Sequence, residues 1–408
     1  WSVRPLLTAV RIAKGQVDPK TEPYKSMILV APDHIESGTG RLLDTQTAAD
    51  QRAISGKYIF AKGDIVYSKI RPYLRKAILA KFDGLCSADM YPLRTATDVA
   101  AGYMLAVILG QRFSKYAESV SVRSGMPKIN RAELAEYYFA LPPTKSEQEA
   151  IAEALNDVDN LLESLEQLIA KKRHLKKGAM QELLTGKKRL PGFGNGKLMW
   201  KHTEVGISPE DWAAVRLSEV AEKITVGFVG SMAHLFRTQG VPLLRGQNVL
   251  PHKLNLNEMK YISIETHKQW KKSSLNPGDI VMVRVGYPGT SCVIPPNFGP
   301  VNAASLVVVR PSWHKLDAKY LCYVLNSDFG KNQIDSYLIG GAQQVLNTNT
   351  AAMFSFLLPP SKDEQTAIAT VLCEMDAEIT AIEEKLTKAR QLKQGMMQDL
   401  LNGKIRLV

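Results

Sequence analysis

The stretch KIRPYLRKA, at 69–77, crowds Lys69, Arg71, Arg75 and Lys76 together just after a segment that reads as a strand, with Tyr67 and Tyr73 interleaved. Downstream, Arg284 leads into Gly286-Tyr287-Pro288-Gly289-Thr290 at the corresponding place, Arg245 and Gln247-Asn248 lie in the turn-rich LLRGQNV, and Gln343-Gln344 follow two glycines. Arg123 and Lys128 add cations to the first half. Arginine bonds guanine edges or phosphates, and asparagine or glutamine bonds adenine through two hydrogen bonds. Each residue also has a plainer role open to it, an ion pair for arginine or a turn hydrogen bond for glutamine. Together they point to DNA.

Catalytic patterns are missing or weak. No GxxxxGK[ST] phosphate loop is present, and the alternating glycines of PGFGNGK follow no strand and lead into no apolar helix, so they read as linker. The Pro-Pro pairs follow Leu141, Leu358 and Ile294, without the Asp or Asn that an adenine methyltransferase places there. The triplets Asp317-Ala318-Lys319 and Glu383-Glu384-Lys385 read as solvated surface, and seven histidines show no metal-ligand spacing. The lysine-rich KKRHLKK at 171–177 reads as a solvated helix face whose cations suit a helix C-terminus.

The whole composition agrees. A formal charge of +12 favours a polyanionic partner, nucleic acid before an acidic membrane surface. Apolar residues at 45% and charged ones at 23% are ordinary for a globular chain, and 408 residues suggest two or three domains. Four separated cysteines form no CxxC pair, which fits a reducing cytoplasm. No apolar run approaches the ~20 residues of a membrane span, and no signal peptide is evident.

The elements that must position these residues are written twice. LKKGAMQELLTGKKRL, at 175–190, returns as LKQGMMQDLLNGKIRL at 392–407, an offset of 217, and Leu141-Pro142-Pro143 returns as Leu358-Pro359-Pro360. Gly63-Asp64-Ile65-Val66 pairs with Gly278-Asp279-Ile280-Val281 at an offset of 215. Each half is a variable globular part, 1–140 and 212–357, followed by a well-repeated tail, 141–190 and 358–408, with 191–211 as the linker. In the globular parts DIVYSKI, KAILAKF, ADMYPLR, DIVMVRV, TSCVIP and SLVVVRP read as strands. YMLAVILGQRFSKYAES and YLCYVLNSDFGKNQIDSYL read as helices, so each part is a small α/β domain.

The tails predict long helices. Ser146 with Glu149 suggests a capping box, with Asp363 as the matching N-cap, and Gly186 and Gly403 fit the left-handed position that ends a helix. Ile151, Leu155, Val158, Leu162, Leu165 and Ile169 alternate steps of four and three. So do Ile368, Leu372, Met375, Ile379, Ile382 and Leu386. That is a coiled-coil seam, and the two stripes most simply bury each other. Residue patterns alone leave parallel and antiparallel pairing open. Gly178 and Gly395 interrupt both helices at a cost of about 1 kcal/mol each against alanine; close approach of a partner helix or a local bend would explain them.

The paired LPPxxxEQxxIAxxL and KxGxMQxLLxGKxRL segments, with GDIVYSKIRPYL and GDIVMVRVGYPGT, closely resemble the specificity subunit of type I restriction–modification systems. The resemblance covers nearly the whole chain. It implies an α+β architecture with a pseudo-twofold internal repeat: two α/β target recognition domains separated by an antiparallel coiled coil of two long helices, acting as a ruler. It further implies a non-catalytic chain that recognises a bipartite, asymmetric sequence in double-stranded DNA. Two methyltransferase subunits carrying S-adenosylmethionine would dock on it and methylate adenine. Two restriction–translocation subunits using ATP and magnesium would join where the system cleaves. No cofactor, metal or membrane is expected for the chain itself. Two classes compete: a coiled-coil architectural DNA-binding protein or repressor that needs no enzyme partner, which co-purification with a methyltransferase separates, and a catalytic nuclease or methyltransferase with an unrecognised motif, which activity of the isolated chain exposes.

Overall fold

The computed structural model describes residues 1–121, 125–194, 199–338 and 345–407. Two compact units divide the chain, Trp1–Leu168 with Ile382–Val408, and Ile169–Ala381. The duplication is visible strand for strand. In the first unit an antiparallel sheet runs Val10–Ile12, Met90–Thr95, Ile65–Ser68, Ala77–Leu79. In the second unit the order is Ala221–Val226, Leu306–Pro311, Ile280–Val283, Ser291–Val293.

Each unit adds a second four-stranded sheet whose middle pair is parallel. Ile28–Val30 lies beside Gly84–Cys86 in the first unit, and Val241–Leu244 beside Val301–Ala303 in the second. Every segment read as a strand from its β-branched residues forms one.

The central strands are buried on both faces, which explains why they lack polar alternation. Ile65 and Tyr67 enter a core with helical Tyr103, Val107 and Phe113, whereas Val66 enters another with Val30, Phe60 and Ile78. Ile280 and Met282 pack with Tyr320, Val324 and Ile334, while Val281 and Val283 meet Leu244 and Val301. Successive side chains of one strand thus serve two cores. Each segment read as one helix is two: Ala101–Leu109 and Gln111–Ser121 break at the extended Gly110, and Ala318–Asn326 and Asp328–Leu338 break at Ser327.

The tails form helices Lys145–Leu183 and Lys362–Leu401, of 39 and 40 residues. Their first turns correct the expected caps. Thr144 Oγ1 accepts from the Glu147 amide at 3.3 Å and Ser361 Oγ from that of Glu364 at 3.2 Å, so Ser146 and Asp363 lie inside the helices. Gly186 and Gly403 both take φ of +70°, the left-handed stop that the sequence suggests.

Within each unit the helix segments run antiparallel. In the first, Lys393 meets Asp159 at 2.5 Å and Arg390 meets Glu166 at 2.9 Å. In the second, Lys172 meets Glu378 and Lys176 meets Asp376, both at 2.6 Å. Ile151, Leu155, Val158, Leu162, Ile169, Ile368, Leu372, Ile379 and Leu386 are buried; Leu165, Met375 and Ile382 are half-buried. Among the described residues, no heavy atom beyond each helix's own nearby backbone lies within 4 Å of a Cβ built at Gly178 or Gly395, so the first of the two explanations, close approach of a partner helix, is not seen there.

The segment expected as linker is more than bare chain. Trp200–Thr203 and Gly206–Pro209 pair as a hairpin within it. Just beyond, Trp212 is wholly buried, with the Arg189 guanidinium 5.5 Å above its ring.

Candidate nucleic-acid interface

Lys69, Arg71, Tyr73 and Arg75 of the first unit, and Arg284, Tyr287 and Thr290 of the second, lie on the connection between the second and third strands, in chain order, of the duplicated sheet. In the first unit Ser68 N donates to Lys76 O at 2.9 Å and closes the turn between Ile65–Ser68 and Ala77–Leu79. Pro72–Leu74 makes one 3₁₀ turn inside it, flanked by Arg71 and Arg75, both at φ +47°. A left-handed arginine is uncommon, and such a residue costs about 1–2 kcal/mol.

The surroundings hold both in place. Arg71 N donates to Pro127 O at 2.8 Å, Arg75 N to Pro72 O at 2.9 Å, and Gly38 N to Arg75 O at 3.1 Å. Arg71, Tyr73 and Arg75 are consequently exposed on a fixed tip. Backbone strain held by tertiary contacts is a mark of functional sites.

A second strip supports this tip. Ile129 N donates to Lys69 O at 2.9 Å, and Ile70 bridges Lys128, so exposed Lys128 lies beside the turn. Lys69 Nζ lies 5.1 Å from the centre of the Tyr91 ring and the Arg131 guanidinium 5.7 Å from it. Burial raises the Tyr91 hydroxyl pKa, opposed by Arg131. Arg131 and Tyr91 carry no signal in the sequence, because only tertiary structure brings them to Lys69. Tyr67 belongs to the core, and Lys76 Nζ is spent on Pro32 O at 2.6 Å. Arg123 lies outside the described residues.

In the second unit Val283 N donates to Thr290 O at 2.8 Å across the equivalent turn. Gly286 and Gly289 take φ of +91° and +84°, and a Cβ at Gly289 would stand 2.4 Å from Ile334 Cδ1. Only glycine fits there. Tyr287 is 83% exposed at the tip, while Thr290 is half-buried where the turn closes. Arg284 Nε donates to Leu346 O at 3.0 Å, and Leu346 N donates back to Arg284 O at 3.0 Å.

That backbone bond corresponds to the one between Ile129 and Lys69. The structural counterpart of Arg284 is therefore Lys69, not Arg71 as the shared strand-end placement suggests. The offset of 215 carried by the Gly-Asp pair contains this signal.

The turn after Val241–Leu244 lies alongside: a Cβ at Gly246 would be 3.7 Å from Val283 Cγ1. Gln247 is exposed there. Arg245 is half-buried, with its guanidinium 5.8 Å from the Phe236 ring centre and Nη2 donating to Glu258 O at 3.0 Å.

Asn248 corrects the sequence reading. It is wholly buried; its Oδ1 accepts from Arg245 N at 3.1 Å and its Nδ2 donates to Asn255 O at 3.0 Å. His34 does the same work in the first unit, accepting from Ala31 N through Nδ1 at 3.2 Å. Asn248 shapes the turn and is no base reader. Gln343 and Gln344 lie outside the described residues.

Other chemistry is sparse. Among the described residues no group of three or more His, Cys, Asp or Glu side chains could hold a metal, and no helix is long and apolar enough to cross a membrane. Burial pushes the Cys86 and Cys322 thiols up to about 12, away from the thiolate a nucleophile needs.

Two turns on a twice-built frame present Arg71, Tyr73 and Arg75 in one unit and Tyr287 in the other, side chains of the kind a nucleic-acid recognition protein uses. Residues 38–171 and 209–391 match the type I restriction modification DNA specificity domain. The chain belongs to that family, whose members are the DNA-recognition components of type I restriction–modification systems and not their catalytic ones.

Among relatives, the EcoDI specificity subunit of Escherichia coli is 40% identical over 128 residues, 31% of this chain and 28% of that protein. The MjaVIII specificity subunit of Methanocaldococcus jannaschii is 27% identical over 340 residues, 79% of this chain and 75% of that one. The fold matches the solved type I S subunit from M. genitalium with a TM-score of 0.62 at 14% identity, covering 98% of this chain and 96% of that one. A chain from a study of type I complex assembly matches with a TM-score of 0.58 at 18% identity, covering 99% and 98%.

Proposed function

We propose that this chain selects a bipartite, asymmetric target in double-stranded DNA, each unit reading one half-site through its own turn. The observation that carries the reading is the pair of turns joining equivalent strands. Equivalent backbone bonds dock them, yet their exposed side chains differ: Arg71, Tyr73 and Arg75 in one, Tyr287 in the other. An identical frame with unlike tips suits two unlike half-sites. Lysine and arginine contacts to phosphate supply affinity and register, and contacts to base edges select the sequence.

Two methyltransferase subunits are the partners that give this selection a chemical outcome. The repeated helices offer each a similar surface, since Leu175 and Leu392 are exposed three residues before Gly178 and Gly395, where space for a Cβ is open. S-adenosylmethionine is assigned to those subunits, with ATP and magnesium on restriction–translocation subunits where these join. The complex works on cytoplasmic DNA.

The test is to map methylated adenines in cells carrying the methyltransferase with and without this chain. A two-part motif appearing only with the chain is expected. Unchanged methylation, or a chain that never co-purifies with the methyltransferase, refutes the reading in favour of a stand-alone architectural protein.

A further inference from the structure

The second unit carries another cationic surface, at the end of its sheet remote from the reading turn. Arg310 stands directly opposite Lys223 on adjacent strands, and Ile280, next to Asp279, is registered with Val309. The same sheet reaches the Arg284 turn at its other end, where Leu306 is registered with Val283. Four residues of strand, about 13 Å, separate Arg310 from Leu306.

Lys223, Lys268, Lys271 and Arg310, together with His267, line a cavity of about 300 Å³ with no carboxylate in its lining. The nearby Asp279 is already engaged, accepting from Arg310 Nε and Nη2, both at 2.8 Å. That pairing holds the guanidinium in place, and Glu265, the carboxylate that faces Lys268 from the same helix, lies outside the lining. Asn302, wholly buried, fixes the neighbourhood: it accepts from His267 Nδ1 and donates to Trp270 O at 3.1 Å and Ser273 Oγ at 3.0 Å.

Like charges directly opposite one another destabilise a sheet. The molecule nevertheless keeps this arrangement twice, because Arg11 stands directly opposite Arg94 in the first unit, where Asp64 again holds the second arginine. The second unit alone adds Lys268 and Lys271, from the helix Ile264–Gln269 and the turn after it.

We propose that the Lys223–Lys268–Lys271–Arg310 cavity binds the phosphodiester backbone of a second segment of duplex DNA, distinct from the segment that the turns read. Four cations dominate the lining, with Ser274 and Asn276 as its uncharged polar members, so the contact is chiefly with phosphate and independent of sequence. The complex would thereby hold its target and another stretch of DNA at once. The inference rests on the proposed reading of DNA by the turns, and the experiment separates the two.

The full chain is added to immobilised duplex, and capture of a second, fluorescent duplex is measured against salt. Wild type captures it, and the triple variant K223Q/K268Q/K271Q lowers capture tenfold or more. The salt slope of capture should also fall by about three, near 0.9 for each phosphate no longer neutralised. R11Q, in the first unit, leaves capture unchanged, and melting curves confirm that all variants are folded. Undiminished capture by the triple variant overturns the proposal, as does loss of first-duplex binding in that variant, which would place the cluster in the reading interface. Wild type holding one duplex but never two also sinks it and leaves the turns' role intact; wild type holding none sinks that role instead. Displacement of the second duplex by micromolar mononucleotide overturns DNA as the occupant in favour of a small phosphate ligand.

Discussion

The two units solve one construction problem with different materials. The turn of the first is built from arginines forced into left-handed backbone around Pro72; that of the second uses Gly286 and Gly289, which accept such backbone freely. One tip gains charge at the cost of strain, and the other gains an exposed tyrosine on a relaxed loop. The same contrast recurs where the helices meet the sheets. Arg189 and Glu364 form a bidentate pair beside Trp212, while Arg406 and Glu147 form its counterpart beside Trp1. The arginine is 7% exposed in the former and 45% in the latter. Burial raises the Glu364 carboxyl pKa, whereas the hydrogen bond from Arg406 lowers that of Glu147. Duplication preserved the contacts and let their environments part.

The largest way to break the comparison is Gly289→Val. It places a β-branched side chain at φ +84° and against Ile334, costing about 4 kcal/mol from left-handed strain and overpacking combined. Denaturant melts should show the second unit destabilised and methylation at one half-site lost. A fully stable variant would mean that the turn is not held as described. Next comes Arg189→Met, which leaves Glu364 buried and unpaired at a cost of about 3 kcal/mol. Arg406→Met, at the half-exposed counterpart, should cost clearly less. Hydrogen exchange resolved by unit would measure both, and equal losses would erase the distinction drawn from burial.

Acid should separate the units further. His252 stacks on Tyr323 at 4.2 Å, and the Tyr323 hydroxyl donates to Asp376 at 2.7 Å, bracing the second unit's sheets on its helix. Burial, with Lys176 nearby, lowers the histidine pKa from 6.5 to about 4. The folded state therefore resists protonation that the unfolded state accepts. Stability from this group is complete above pH 6.5 and falls as pH drops toward 4, by up to about 3 kcal/mol. In the first unit the brace is Arg41 and Arg390 on Glu166, whose carboxyl those arginines hold below its ordinary value, so it persists through that window. Melts between pH 7 and 4 should show the second unit failing first, and His252→Phe should remove the difference. Simultaneous failure would break the comparison.

Much of this is legible in the sequence because duplication doubles every signal. The paired Leu-Pro-Pro and Gly-Lys-x-Arg-Leu segments mark the helix bounds, and β-branched runs mark the central strands. The caps move to Thr144 and Ser361 because several polar residues compete there and only backbone geometry decides which accepts the amide. Asn248 misleads because its side chain suits adenine and a turn equally, and burial alone tells them apart. Register explains the Arg71–Arg284 mismatch, since the offset of 215 set by Gly63 and Gly278 carries Lys69, not Arg71, onto Arg284. The cation pairs Arg11–Arg94 and Lys223–Arg310 join strands far apart in the chain, a relation no local pattern carries.

The smallest effect is the sharpest test of unit-by-unit reading. Arg71 is both a cation at the tip and a strained residue, so replacing it with alanine confounds removal of the guanidinium with altered backbone. Arg71→Gly separates them: glycine accepts φ +47°, and the turn keeps its bonds through Pro127, Pro72 and Gly38. Stability should hold or rise slightly, while one half-site weakens or relaxes by about ten- to a hundredfold, the 1–3 kcal/mol of a base-edge contact. The other half-site should stay as selective as before, by methylation mapping. Equal loss at both half-sites would mean that the units read DNA jointly. Uniform weakening without altered preference at either would make Arg71 a phosphate contact, and base choice would then pass to Tyr73 and Arg75 on the same tip.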